Sequence, residues 1–509
     1  MYFAYPPESL REFDRRMTAC GQLEPLMREA GHHVAQATKT LRAQRDDAPS
    51  ALFLVGKGNN GGDALVAAKL LFAEGWRVRL LLAAPPEQFS ELSARQWQSL
   101  PAELRQNARV ATALLTSLDF SDGLLIDGLL GTGFNGELPR EPVATLIRLA
   151  NASQLPILAI DIPSGLNGDT GEAECCIQAT ATVCLCAVKT GLLHGQGVAA
   201  AGRLISAPLP GADVLAALPR GPAVFGEPEA RRLLPRIAFD AHKFQRGMVT
   251  VLGGSRQYGG APVLAATAAL RAGAGLAQLL LPQSAELFCE APKALIVQRL
   301  PDRGEGVLNA AALPALATAL DRSAAVAFGP GVTRSPAILP VLAEILGAPK
   351  PLVLDADALN LLATAPALLA SCRAAATVLT PHAGEFARLQ AAYGLEPTDD
   401  RACAAAALAK RTGAVVVLKG ARTIVASPDG DYSYNLRGCP ALATAGSGDV
   451  LTGVIAALLA NGLSAYDAAR LGVWLHGAAA ERATRPAAPL GLIADDLPAL
   501  IQATLASLY

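Results

Sequence analysis

Residues 52–71 read LFLVGKGNNGGDALVAAKLL, and this stretch decides the fold. Leu52 to Val55 form an apolar run of strand length, Gly56, Gly58, Gly61 and Gly62 mark a turn, and Asp63 opens an alanine-rich stretch of helical character. A buried strand that passes through glycines into a helix is one step of a parallel α/β sheet. The step recurs: further apolar runs lie at 78–82, 123–126, 156–160 and 182–188, separated by turns and helical stretches. That alternation predicts a parallel sheet with helices on both faces. Ahead of it, Leu10, Phe13 and Met17, then Leu23, Leu26, Met27, Ala30 and Val34, recur at three- and four-residue steps and predict two helices within 9–41.

Between residues 208 and 228 prolines and glycines accumulate without a period, which predicts a linker. Beyond it the strand–turn–helix theme resumes, with runs at 248–252, 277–281, 324–328, 352–354, 377–379 and 415–418. Two α/β domains are therefore expected, at 1–215 and 225–509, an arrangement that suits a chain of 509 residues.

Composition narrows the classes of partner. Hydrophobic residues make up 51% and charged ones 17%, the opposite of a disordered chain. The 43 Lys and Arg against 44 Asp and Glu leave a net charge of −1, so no broad basic field is present to hold nucleic acid or an anionic membrane. Mean hydropathy is +0.32, yet the longest uncharged stretch, 450–466, is broken by Thr452, Gly453, Asn461, Gly462 and Ser464, and reads as a buried helix and its connection. The first residues lack the basic-then-apolar order of a signal peptide, and a cytoplasmic location is expected. Nine cysteines without Cys-x-x-Cys spacing read as reduced thiols serving as small hydrophobes.

The glycine turn at 56–62 frees the backbone to approach a ligand, and the helix start behind it favours anionic oxygen such as pyrophosphate. A tight connection would also explain the glycines, but Asn59 and Asn60 beside Asp63 offer donors and acceptors that a mere turn does not need. Two more predicted strands end in acids: Asp127, followed by a second glycine loop, and Asp161, followed by Pro163-Ser164-Gly165. In a doubly wound sheet ligands gather beyond the carboxyl ends of strands. Asn60, Asp127 and Ser164 could thus converge as oxygen ligands for a hard cation, leaving Asp161 as an acid or base; helix capping is the alternative role for each acid.

The order LMREAG at 26–31, GNNGGD at 58–63, DGLLGTG at 127–133, DIPSGL at 161–166 and Lys189-Thr-Gly191-Leu192 resembles the NAD(P)H-hydrate epimerase family. The resemblance implies a Rossmann-like three-layer sandwich that interconverts the two epimers at carbon 6 of the hydrated nicotinamide. It implies potassium held by Asn60, Asp127 and Ser164. It implies substrate held by Asn59, Asn60, Gly61, Gly62 and Asp63, by the loop Gly131, Thr132, Gly133, Phe134, Asn135, Gly136 and Glu137, and by Asp161, the best acid/base candidate. Lys57 stands where this family commonly has proline, and Ala64 where it has a third glycine; Ala64 is expected to narrow the loop slightly.

In the second half, ATAGSGD at 443–449 opens a long apolar helix and exposes amides at its positive end, a site for phosphate or developing negative charge. Asp449, directly after Gly-Ser-Gly, reads as a catalytic acid or base, with a dipole-stabilising charge as the alternative. Lys419-Gly420-Ala421-Arg422-Thr423 ends a predicted strand in a basic turn suited to nucleotide phosphates. Asp355 and Asp357 read equally as magnesium ligands or as caps of the next helix, and His382, between Pro381 and Gly384, reads as a site residue.

This pattern resembles the ribokinase-like superfamily. More narrowly, HKFQRG at 242–247, GGSRQYGGAP at 253–262, GPG at 329–331, DADALN at 355–360, TPHAGEF at 380–386, KGART at 419–423 and ATAGSGD at 443–449 resemble the ADP-dependent NAD(P)H-hydrate dehydratase family. The resemblance implies that Lys419, Gly420, Ala421, Arg422, Thr423 and Gly448 bind the adenine nucleotide, accompanied by magnesium, and that Ala261, Gly331, His382 and Asp449 meet the hydrated cofactor. Phe244 replaces a common glycine and Ala383 a common proline.

The expected activity is repair of hydrated nicotinamide cofactors: epimerisation of the R and S forms, and dehydration of the S form with ADP converted to AMP and phosphate. The expected partners are NADHX, NADPHX, ADP and AMP, without nucleic acid or membrane, in a homo-oligomer. The competing expectation is a ribokinase-like kinase of a vitamin-type alcohol with a non-catalytic N-terminal binding domain.

Overall fold

The computed structural model of the chain describes residues 2–42, 49–121, 123–286, 290–374, 376–484 and 490–509. Contacts divide it into two units, one of residues 2–223 and one of 224–484 with the C-terminal helix. The division falls inside the Pro/Gly-rich segment, which is not the plain linker expected. It contains a short helix, Ala212–Ala216, and Leu218 is buried in a cluster with Phe13, Met17 and Leu26. Apolar residues scattered among the prolines anchor this segment to the first unit.

The first unit opens with two helices, Pro7–Ala19 and Leu23–Arg42. Its seven strands lie in the spatial order Arg109–Val110, Arg77–Leu82, Ser50–Val55, Leu124–Gly128, Ile157–Ile160, Ala181–Leu185 and Arg203–Ala207, and every pairing is parallel. Ser50–Val55 and Leu124–Gly128 are buried along their whole length, as strands covered on both faces must be. Chain direction across the sheet reverses between these two neighbours, so their carboxyl ends flank the topological switch point at which such sheets bind ligands. The run read at 182–188 ends sooner, at Leu185, because Cys186 takes a positive φ of 64°.

The second unit has a mixed sheet in the order Tyr432–Asn435, Ile424–Ala426, Val415–Leu418, Thr377–Leu379, Leu352–Leu354, Ala325–Phe328, Met248–Leu252, Leu276–Pro282 and Ile296–Leu300. From Val415–Leu418 to Ile296–Leu300 the pairings are parallel, and Ile424–Ala426 pairs antiparallel with both of its neighbours. The switch point lies between Met248–Leu252 and Ala325–Phe328. Against the sheet, helix Gly260–Arg271 buries Ala265, Ala266, Ala268 and Ala269 beside helix Ser447–Ala460. A Cβ on Gly453 would lie 1.9 Å from the Ala265 carbonyl oxygen, so the two helices touch backbone to backbone. Abundant alanine is the composition that such close packing requires. Among the described residues no helix is long and apolar enough to cross a membrane.

Candidate functional site

In the first unit the switch point opens into a cavity of about 470 Å³. Its strand-end wall carries Asn59, Asn60, Asp63, Gly131, Thr132, Gly133, Phe134 and Asp161, all expected from sequence. Gly61, Gly62, Asn135, Gly136 and Glu137 are not among its lining residues. Gly61 is a packing position: a Cβ there would lie 1.9 Å from the Gly56 carbonyl oxygen. Gly62 fits under the Met27 side chain, 2.6 Å from a built Cβ. The Asn135 carbonyl accepts 2.7 Å from Asn167 Nδ2, so residues 135–137 turn toward that loop. Ala64 is not among the lining residues; it is buried, and a Cβ built on Gly128 would lie 2.7 Å from its methyl.

Asp127 and Ser164 are wholly buried. Ser164 Oγ donates to Asp127 Oδ1 at 2.6 Å and its amide to Oδ2 at 2.8 Å. Asn60 Nδ2 donates 2.9 Å to the Leu130 carbonyl, which also lies 3.2 Å from Ser164 Oγ. The three residues read as cation ligands therefore do converge. One carboxylate surrounded by amide, hydroxyl and carbonyl oxygen is a donor set that fits a hard cation of low charge. Burial pushes the Asp127 carboxyl up to about 6 against the hydrogen bonds from Ser164 and Leu129, a cost that a bound cation would offset.

Asp161 sits at a strand end with φ 69°. Its Oδ1 accepts from Lys189 Nζ and, at 3.2 Å, from the Leu185 amide. Lys189 is 1% exposed and also donates to the carbonyls of Leu185 and Ala187 at 2.8 and 3.0 Å. Two further acids share this field. Asp63 is held far above the usual carboxylate range by burial, then by the charges of Asp161 and Asp14. Asp14, on the first helix, also lines the cavity. Neither Asp14 nor Lys189 was among the expected site residues. Asp14 looks like an ordinary polar position beside Phe13, and Lys189 gains its meaning only from a partner 28 residues away. Ser90 and Ser93 were also missed; Ser93 Oγ donates 2.7 Å to the Gly58 carbonyl and Ser90 Oγ lies 3.3 Å from Asn59 Oδ1, bracing the asparagine turn.

In the second unit the expected loops meet around Lys419. Its ammonium is 2.9 Å from Asp355 Oδ1, and Asp355 Oδ2 accepts 2.7 Å from Thr452 Oγ1. Burial would raise the Asp355 pKa, but Lys419 and these hydrogen bonds outweigh it and hold the carboxyl below its usual range. Burial likewise works against the Lys419 charge, and Asp355 and Glu385 overcome it. Asp449 lies in the first turn of helix Ser447–Ala460. Burial pushes it up to about 7, Asp355 and Glu385 adding to the shift and Lys419 opposing it. A built Cβ on Gly448 would be 3.3 Å from Lys419 Nζ, so glycine here brings the start of the helix close to the ammonium.

His382 caps helix Ala383–Ala392: its Nδ1 accepts from the amides of Gly384 and Glu385 at 3.0 and 3.4 Å. The proton of the neutral ring is thereby placed on Nε2, which lies 3.4 Å from Glu385 Oε1. Gly331, with φ 71°, packs against the Tyr258 carbonyl, joining the loop at 329–331 to the one that leads into Ala261. The turn at 419–423 rests on Arg401, which donates 2.9 Å to the Ala421 carbonyl and was not read from sequence. Within that turn Gly420 has φ 146°, Arg422 is buried with φ 54°, and Thr423 Oγ1 donates 2.8 Å to the Gly420 carbonyl.

Asp355 and Asp357 do not act as a pair. Asp357 accepts from Arg334 and Asn360, and Ala356 between them has φ 49°. No group of three His, Cys, Asp or Glu side chains suited to a metal occurs among the described residues. Magnesium therefore fits here only as a companion of nucleotide phosphates, its usual setting. The two departures from the family pattern lie outside this cluster: Phe244 is exposed beneath Lys243, and Ala383 occupies the first helical position, where the lost proline is optional.

Two family models match the chain: the YjeF-related protein N-terminus over residues 23–191 and NAD(P)H-hydrate dehydratase over residues 249–503. A bifunctional NAD(P)H-hydrate repair enzyme of Moorella thermoacetica is 38% identical over 485 residues, which cover 93% of this chain and 90% of that protein. One from Escherichia coli is 35% identical over 484 residues, covering 94% and 89%. Among solved structures, an ADP/ATP-dependent NAD(P)H-hydrate dehydratase of Bacillus subtilis, crystallised with ATP and magnesium, is 28% identical at a TM-score of 0.48 and covers 57% of this chain and 99% of that one.

Proposed function

The chain belongs to the family of bifunctional NAD(P)H-hydrate repair enzymes, and on that premise we propose that its first unit epimerises hydrated NADH and NADPH at carbon 6 while its second dehydrates the S epimer. The observation that carries this reading is the second-unit cluster. Asp449, whose carboxyl is pushed up to about 7, stands at a helix start in the field of the half-buried Lys419, whose charge is secured by Asp355.

Hydroxide leaves a carbon poorly, and phosphate leaves well. The turn Lys419 to Thr423 and the amides at Gly448 hold ADP with its β-phosphoryl group toward the carbon 6 hydroxyl. Asp449 takes the hydroxyl proton as oxygen attacks phosphorus and AMP departs. The C6–O bond of this phosphoester then breaks with the ring nitrogen's lone pair forming N1=C6, phosphate leaves, and loss of a proton from carbon 5 restores the dihydronicotinamide. Ala261, Gly331 and His382 form the surrounding surface for the hydrate, with His382 Nε2–H as its donor. Magnesium, where bound with the nucleotide, neutralises phosphate charge. In the first unit Asn60, Asp127 and Ser164 would hold potassium, which would supply a fixed positive charge beside the glycine loops, while Asn59, Asp63 and Asp161 face the substrate.

The test is to incubate a mixed-epimer pool of hydrated NADH with ADP and magnesium in potassium buffer, following nicotinamide absorbance and free phosphate together. Recovery of absorbance with one phosphate per NADH is expected. A stable phosphoester, heavier than the substrate by one phosphoryl group and without absorbance, would make the second unit a kinase of the ribokinase-like type.

A further inference from the structure

We propose that Asp14 is a second acid/base catalyst of the epimerase site, working with Asp161 so that one carboxyl releases the carbon 6 oxygen and the other receives the water that replaces it. The inference rests on the reading of the first-unit cavity as the epimerisation site.

Epimerisation sets a requirement that no single group meets easily. The hydroxyl must leave as water, which takes a proton, and water must return on the other face of the ring, which gives one up. An acid and a base are needed at the same time on different sides of carbon 6. The cavity supplies carboxyls on two distinct walls. Asp161 belongs to the strand-end wall, and Asp14 projects from helix Pro7–Ala19, which also contributes Leu10, Arg11 and Phe13. That helix is tied to the substrate loop, since Arg11 donates 3.3 Å to the Thr132 carbonyl, and to the chain beyond the sheet through Ser9, which donates 2.7 Å to the Pro219 carbonyl. Asp14 is thereby fixed to the same frame as the loop expected to hold the cofactor.

The two carboxyls are set for opposite tasks. Asp161 is held in place by the buried Lys189 and the Leu185 amide, with its carboxylate at the cavity's strand-end wall to accept the incoming water's proton. Asp14 opens onto the cavity, where withdrawal of water and the nearby Asp161 charge push it up to about 6 against the pull of Lys189. Asp63, also on the cavity wall, is buried, and burial raises its carboxyl. In the forward direction Asp14 gives its proton to the departing hydroxyl, the C6–O bond breaks, and the nitrogen lone pair forms N1=C6. Water then adds to the opposite face, its oxygen forming the new C6–O bond, the π pair returning to nitrogen, and its proton passing to Asp161. Exchange with solvent restores both groups, and the reverse reaction swaps their roles.

The experiment uses the full chain, one isolated epimer of hydrated NADPH, potassium buffer and ¹⁸O-water, with the uncatalysed rate subtracted. Wild type is expected to yield inverted product carrying one ¹⁸O at carbon 6. Asp14→Asn is expected to lower kcat by about 100-fold or more, the scale of general acid/base catalysis, with KM within about threefold and an unchanged urea midpoint at the first-unit probes Trp76 and Trp97 as proof of folding. An Asp14→Asn enzyme with near-normal kcat, or one impaired only in KM, overturns the assignment. Inverted product without ¹⁸O overturns the water-departure step. If wild type itself does not accelerate inversion, the reading of the cavity fails, which is a separate result.

Discussion

Asp449 bears the sharpest conflict between charge and burial in the second unit, and the conflict is testable in two ways. With its carboxyl near 7 in the native state and near 3.8 as an ordinary carboxylate, the native form binds the extra proton between these values. Stability from this group is therefore complete below about pH 4 and is lost as pH rises through about 7. Asp449→Asn should raise the melting temperature of the second unit at pH 8, by the equivalent of about 2–4 kcal/mol for a shift of this size, and the gain should vanish at pH 4. Calorimetry on the full chain checks both. As base, the same group must be ionised, so dehydratase kcat should fall about tenfold per pH unit below 7, and Asp449→Asn should lose 100-fold or more of kcat with that dependence. Sequence showed where Asp449 stands, because Gly-Ser-Gly before an apolar helix is a local signal. It did not show Asp14, Lys189 or Arg401, whose roles arise from partners distant in the chain.

The helix-start elements show how glycine acts differently in similar motifs. In 58–63 the asparagines and Asp63 reach the cavity, whereas Gly61 and Gly62 are fixed by contact with the Gly56 carbonyl and Met27. Gly61→Ala forces a methyl group onto backbone, and we expect a loss of about 3 kcal/mol or more from the first unit. Its epimerase activity should fall with the unfolded fraction while dehydratase activity persists; equal stability in urea denaturation followed at a first-unit probe such as Trp76 or Trp97 would count against this packing role. At this scale the long apolar runs were legible, since strands buried on both faces read as continuous hydrophobics. The edge strand Arg203–Ala207 and the hairpin strands Ile424–Ala426 and Tyr432–Asn435 were not, because short and half-polar strands carry no comparable pattern.

For the whole molecule the two activities reside in separate units, so they should separate by mutation. With a mixed-epimer pool, Asp161→Asn should recover NADH rapidly only until the S epimer is exhausted, then continue at the uncatalysed epimerisation rate; wild type should run to completion. Replacing potassium by tetramethylammonium should produce the same plateau, and full recovery in either case would refute a role for the first unit in supplying substrate. Sequence by itself determined the α/β class, the parallel order of strands and turns, the two-part organisation and the loops in which chemistry would lie, because these depend on hydrophobic period, glycine placement and residues close in the chain. Tertiary structure alone decided which residues of each motif face a cavity and which serve packing. It brought Asp14, Asp63, Asp161 and Lys189 into one field, and it separated Asp355 from Asp357 although they are two residues apart. Electrostatic coupling depends on distance and burial in space, and neither is written in the order of residues along the chain.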